Sequence, residues 1–176
     1  MLKQARDGLS KEWGVKTSLK PFYRGGKVQF LQGGEQSRVA ALNDGNLSIL
    51  QDDFTSPFDE LLDELDEGDD EITSFAFHPT TQEVVVSMKS HLLVHWDYAA
   101  KKKIRSIRGH TMPILDIDYD SSGTLVASGC ADRSVRVWDI PHGHCTHVFH
   151  EHSDIVHLVR FHPDPKKLHL FTAADD

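Results

Sequence analysis

The sequence predicts an all-β fold built from repeated four-stranded sheets, and three observations carry that prediction. First, apolar positions recur every 42 residues: Ile72, Ile114 and Val156, then Phe75, Ile117 and Val159, then Phe77, Tyr119 and Phe161. Self-similarity at such a period marks an architecture in which each unit buries its faces against its neighbours. Second, the positions within one copy lie two or three residues apart, which specifies most of one face of a half-buried strand. Third, short apolar segments alternate with Gly, Pro, Ser and Asp turns, the punctuation of β structure.

One copy defines the unit. Ile114 to Tyr119 reads as its first strand, Ser121-Ser122-Gly123 as a turn, and Thr124 to Gly129 as its second strand. Asp132 marks the next turn, Ser134 to Asp139 the third strand, and Cys145 to Phe149, after Pro141-His142-Gly143, the fourth. Val126, Ala127, Val135, Val137 and Trp138 leave the middle strands apolar on both faces, as a sheet between two like sheets requires. Trp96-Asp97 and Trp138-Asp139 are also 42 apart, as are His110 and His152. A weaker copy lies earlier, in Lys27 to Leu31, Ser37 to Leu42 and Asn46 to Leu50, with Asn43-Asp44-Gly45 as a hairpin signal.

Gly109-His110, Val126-Ala127-Ser128-Gly129, Asp132 and Val135-Arg136-Val137-Trp138-Asp139 together resemble one complete WD repeat. The resemblance implies a WD-repeat β-propeller, here an incomplete N-terminal part of about three and a half four-stranded blades. It also implies a buried polar relay in which His110 bonds the turn Asp132, with Ser128 and Trp138 completing it, all four in structural roles. One period back, Gly68 and Ser90 stand where the His and Asp belong, so that blade is expected to hold by packing alone. One period on, His152 is present, and Leu168 to Asp176 resembles the second strand and turn after a short insertion.

The organisation expected from these copies is an N-terminal extension at 1–20, a divergent first blade at 21–52, and an acidic insert or linker at 53–71. A second blade follows at 72–108, a third with the full motif at 109–150, and the truncated start of a fourth at 151–176. Propellers close with four to eight blades, so the expectation is part of a longer chain that aggregates when expressed alone.

Two further segments, Lys20-Pro21-Phe22-Tyr23-Arg24-Gly25-Gly26-Lys27 and His157 to Pro165, resemble the N-terminal propeller of the transducin-beta-like WD-repeat proteins of the small-subunit processome. That resemblance implies a non-enzymatic scaffold in the nucleus and nucleolus. Its expected partners are other WD-repeat processome subunits, the U3 small nucleolar ribonucleoprotein and pre-ribosomal RNA, and its expected role is maturation of the 18S species. The alternative is a WD-repeat adaptor of another complex, such as a ubiquitin-ligase substrate receptor.

The 176 residues carry 19 Lys+Arg and 27 Asp+Glu, a formal charge of −8. The excess is local: Asp59 to Glu71 (DELLDELDEGDDE) holds 9 acidic and no basic residues, which leaves 19 basic against 18 acidic elsewhere. No apolar run approaches a membrane span and the start lacks a secretory stretch, so neither a membrane nor a secreted protein is expected. Two cysteines, Cys130 and Cys145, outside any CxxC pair make no disulfide framework and favour a reducing compartment.

The site residues expected to act are few. Arg133, after the turn Asp, and Asp154, before the fourth blade, are candidate partner contacts on exposed loops. Leu61, Leu62 and Leu65 fall on one side of a helical turn in the acidic run and make a candidate partner-binding helix. Arg133, Arg136, Arg160 and Lys101 to Lys103 are candidate contacts for ribosomal RNA phosphates. The histidine-rich stretch His142, His144, Cys145, His147, His150 and His152 does not converge as metal ligands do, because Cys145 and His147 share one face of a strand and His144 the other. No metal, cofactor or small-molecule substrate is expected. The sequence has no GxSxG, P-loop, GxGxxG or HExxH motif, and the apparent triad Ser128, His110 and Asp132 belongs to the relay, so no enzyme is expected.

Overall fold

The computed structural model describes residues 70–176 throughout, and before them only the backbone of four strands: β1 Val28–Leu31, β2 Arg38–Asn43, β3 Asn46–Gln51 and β4 Asp63–Leu65. Ten strands follow: β5 Ile72–Phe77, β6 Glu83–Met88, β7 Leu92–Asp97, β8 Lys102–Arg108, β9 Ile114–Tyr119, β10 Leu125–Cys130, β11 Val135–Asp139, β12 His144–Phe149, β13 Val156–Phe161 and β14 Leu170–Ala174. They form three four-stranded antiparallel sheets, β1–β4, β5–β8 and β9–β12, each in simple up-and-down order, and a two-stranded sheet, β13–β14. The described residues contain no helix.

The acidic run departs from expectation. Asp63–Leu65 is a strand, with Leu65 opposite Leu47 and Asp63 opposite Ile49, and not part of a helical turn. Pairing there occupies the outer edge of β3, whose peptide groups would otherwise lack partners. The segment expected as insert or linker at 53–71 thus supplies the fourth strand of the first sheet, which the sequence had given only three. Leu61 and Leu62 lie outside the described residues.

The 42-residue period is a period of inner strands. Ile72, Ile114 and Val156 are buried at the starts of β5, β9 and β13, and Phe75, Ile117 and Val159 follow at 0% exposure. The cores lie between sheets more than within them. Ala76, Val85, Leu93 and Ile107 of the second sheet pack with Ile114, Ile117, Val126, Trp138 and Ile140 of the third. Ala127, Val135 and Val137 of the third sheet pack in turn with Val156 and Val159 of β13. The second and third sheets therefore bury both faces, which explains why their middle strands carry little polar alternation.

Side chains also stitch neighbouring inner strands. Asp116 accepts hydrogen bonds from Ser74 Oγ at 3.4 Å and from the Val159 backbone N–H at 3.1 Å, and also binds the Arg160 guanidinium. Asp118 accepts from the Phe161 N–H at 2.8 Å. These carboxylates satisfy the N–H groups that the inner edge of β13 turns away from its own sheet.

Candidate functional site

The relay residues come together at the seam between the loop entering β9 and the hairpin of β10 and β11. Trp138 Nε1 donates to Ser128 Oγ at 2.8 Å, and His110 Nε2 lies 2.7 Å from the same oxygen. His110 Nδ1 faces Asp132 Oδ2 at 3.6 Å, beyond hydrogen-bond length. Asp132 instead takes the backbone N–H of Ser134 at 2.9 Å and its hydroxyl as well. Ser128 is 0% exposed and His110 5%. With its lone pair engaged by the indole, the Ser128 hydroxyl donates to Nε2, which leaves the proton of a neutral imidazole on Nδ1, toward Asp132.

The electrostatics agree with a neutral ring. Burial, reinforced by the Arg136 guanidinium, pushes the His110 pKa down to about 4. Burial opposes ionisation of Asp132, but the hydrogen bonds from Ser134 hold it below the ordinary carboxylate value. Gly109 is required by packing: a Cβ there would stand 2.4 Å from Trp138 Cη2. Its carbonyl receives the Arg136 guanidinium.

The relay repeats with substitutions. In the last sheet His152 Nε2 bonds Thr172 Oγ1 at 2.8 Å and Nδ1 approaches Asp176 at 3.1 Å, so a threonine takes the serine's place. In the second sheet the expectation of packing alone needs correction. Val86 lies one period before Ser128 and belongs to an apolar cluster with Phe75 and Val94, but the loop keeps a polar clasp. There Asp70 on the entering loop accepts from the Ser90 backbone N–H at 3.0 Å and from its hydroxyl, so the carboxylate has changed sides of the joint.

Of the expected contact residues, Arg133 and Asp154 are both exposed and close together: Arg133 donates to the Ser153 carbonyl at 3.4 Å, across the seam. Arg133 holds a left-handed backbone (φ 70°), and so does His91 (φ 68°) one period earlier. Arg136 donates to the Gly109 carbonyl and Arg160 to the Asp116 carboxylate, so both candidate phosphate contacts already hold partners within the structure, with the Arg160 side chain still 41% exposed.

Two features are absent from the expectations above. The Asp of each Trp-Asp pair caps the following turn: Asp97 accepts from the Ala100 N–H and Asp139 from the His142 N–H, both at 2.9 Å. The equal spacing of the two acceptors was a usable signal. Cys130 also joins the relay, its ligand atom within 4.8 Å of those of His110 and Asp132. That trio suits a metal poorly, since burial pushes the Cys130 thiol up to about 11 and Arg136 sits 3.8 Å from the Asp132 carboxylate. Among the C-terminal histidines, His142, His144, His147 and His150 are exposed, while Cys145 packs against the core of the seam.

A chemically reactive triad is excluded by this arrangement. The Ser128 hydroxyl is sealed from solvent and committed to two ring nitrogens, so no acyl or phosphoryl group reaches it. The relay fastens a loop to a sheet.

The model of the WD domain, G-beta repeat matches residues 101–139, which contain this relay. The fold is that of a WD-repeat β-propeller. A chain in the crystal structure of the mitotic checkpoint complex superposes with a TM-score of 0.67 at 19% identity, covering 84% of this chain and 43% of that one, and supports the WD-repeat fold alone. Curated relatives include transducin beta-like protein 3 of Bos taurus, 34% identical over 171 residues, and of Mus musculus, 37% identical over 166 residues. Each match covers 93% of this chain and 20% of the relative, so the chain spans about a fifth of their length. The nuclear distribution protein PAC1 of Arthroderma benhamiae is 35% identical over 99 residues, 53% of this chain and 21% of that protein.

Proposed function

We propose that this chain is the N-terminal propeller portion of a non-enzymatic scaffold of the small-subunit processome, acting in pre-ribosomal RNA processing and small-subunit assembly in the nucleolus. The observation that carries the reading is the similarity to transducin beta-like protein 3, which extends over 93% of the chain, far beyond the single matched repeat. The geometry supports a scaffold. Among the described residues the serine–histidine pair of the relay is buried and structural, and the loops and the outer strands β8 and β12 carry exposed polar side chains, where propellers present partner surfaces. Other WD-repeat subunits and the U3 ribonucleoprotein are the proposed partners.

The test is to tag the full-length protein, purify it from nuclear extract at moderate salt, and probe the eluate for U3 RNA, 18S precursors and co-purifying WD-repeat proteins. Recovery of all three is expected. Their absence, with another partner in their place, returns the chain to the class of WD-repeat adaptors.

A further inference from the structure

Strand β8 forms the outer edge of the second sheet, and with the turn residue before it reads Lys101-Lys102-Lys103-Ile104-Arg105-Ser106-Ile107-Arg108: five basic residues in eight and no acidic one. Every residue of β8 except Ile107 is exposed. Lysine on an edge strand is a common guard against aggregation. The next sheet's outer strand, β12, is just as exposed and carries no Lys or Arg, so edge protection does not account for the charge of β8.

Three details shape what this edge fits. The pairing with β7 shifts between His95 and Trp96, which makes Ile104 a bulge, exposed at 46%. A bulge spoils the regular edge that an added peptide strand needs, so recognition there falls to side-chain charge. Arg105 is fixed across the seam, donating to the His142 carbonyl at 2.9 Å and the Pro141 carbonyl at 3.4 Å. Lys101 holds a left-handed backbone (φ 51°) at the position where the following repeat uses Gly143 (φ 74°), so a lysine is kept where glycine would be easier. The acidic residue facing the strand from β7 is Asp97, opposite Lys102, and its carboxylate caps the turn at Ala100.

We propose that Lys101 and β8 form a polyanion-binding edge that takes the phosphate backbone of single-stranded RNA without reading its bases. This deepens the processome reading and rests on it for the choice of RNA as the polyanion. Phosphate contacts of this kind release counterions, so affinity falls steeply with salt, by about 0.7 in log–log slope for each phosphate neutralised on a single strand.

The experiment is fluorescence anisotropy of a labelled 20-residue oligouridylate with the full-length protein from 50 to 300 mM KCl. Wild type is compared with Lys101→Glu/Lys102→Glu/Lys103→Glu and with Lys166→Glu/Lys167→Glu in the β13–β14 turn. The first variant is expected to bind at least tenfold more weakly at 100 mM salt and to lose about 2 in slope, three phosphates' worth. The second is expected to match wild type. A milder Lys102→Gln/Lys103→Gln variant, checked for an unchanged melt, guards against a folding artefact and is expected to lose about 1.4 in slope. Unchanged slopes in both lysine variants would overturn the proposal, as would tighter binding of a poly-glutamate peptide than of the RNA. If the protein binds no oligonucleotide yet still recovers U3 RNA and WD-repeat partners from extract, the edge falls and the scaffold reading stands.

Discussion

Trp138 and His110 converge on one oxygen, with the indole N–H 2.8 Å and the imidazole Nε2 2.7 Å from Ser128 Oγ. A single hydroxyl therefore satisfies two buried ring nitrogens. Ser128→Ala should leave both unpaired at a cost of about 2–4 kcal/mol, whereas Trp138→Phe, which keeps most of the bulk and removes one donor, should cost about 1–2 kcal/mol. Urea unfolding of the full-length variants, followed by circular dichroism, gives both values, and equal losses would contradict the shared-hydroxyl geometry.

The same ring makes stability depend on pH. His110 is held to about 4 in the folded chain against 6.5 when unfolded, so between those values the unfolded state binds more protons. The contribution is complete above pH 6.5 and is lost as pH falls toward 4, up to about 3 kcal/mol. His110→Gln should flatten the fall in melting temperature across that window. A slope identical to wild type would show that folding does not move the ring's pKa.

Gly109 is set by the neighbour it touches. An alanine Cβ would stand 2.4 Å from Trp138 Cη2, so Gly109→Ala should displace the indole and cost about 1–3 kcal/mol. A shifted tryptophan emission maximum in the folded variant would report the displacement. Unaltered emission and stability would mean that the ring yields freely.

Lys101 offers the opposite case. Replacing a side chain at φ 51° by glycine removes a left-handed penalty of about 1 kcal/mol, so Lys101→Gly should raise the melting temperature by a few degrees. A lower melting temperature would show that the side chain's contacts outweigh the backbone strain.

The strands of the third sheet were legible because their apolar residues recur at the period that builds the seams: Ile114 to Tyr119 is the strand expected, residue for residue. The relay was legible for the same reason, since a buried network needs particular side chains at fixed spacing. Strand β4 was not, because Asp63–Leu65 carries no β pattern and owes its conformation to the open edge of β3. Nor was the clasp of Asp70 on Ser90, in which the carboxylate moved to the other side of the joint and so left the motif while keeping its bond. The fates of Arg136 and Arg160 depend on which side of a strand faces the next sheet, a matter of blade packing that local sequence does not state.

Because two of the apolar clusters among the described residues straddle neighbouring sheets, the third sheet owns no complete core; it contributes two halves, each matched to a different neighbour. Duplication of a 42-residue segment would give a copy whose faces already suit one another, so such a chain can lengthen in steps. Exchange of a blade between unrelated propellers would have to match two surfaces at once. Divergence should therefore proceed fastest at the rims and outer strands, where one copy can change its charge without asking anything of the next.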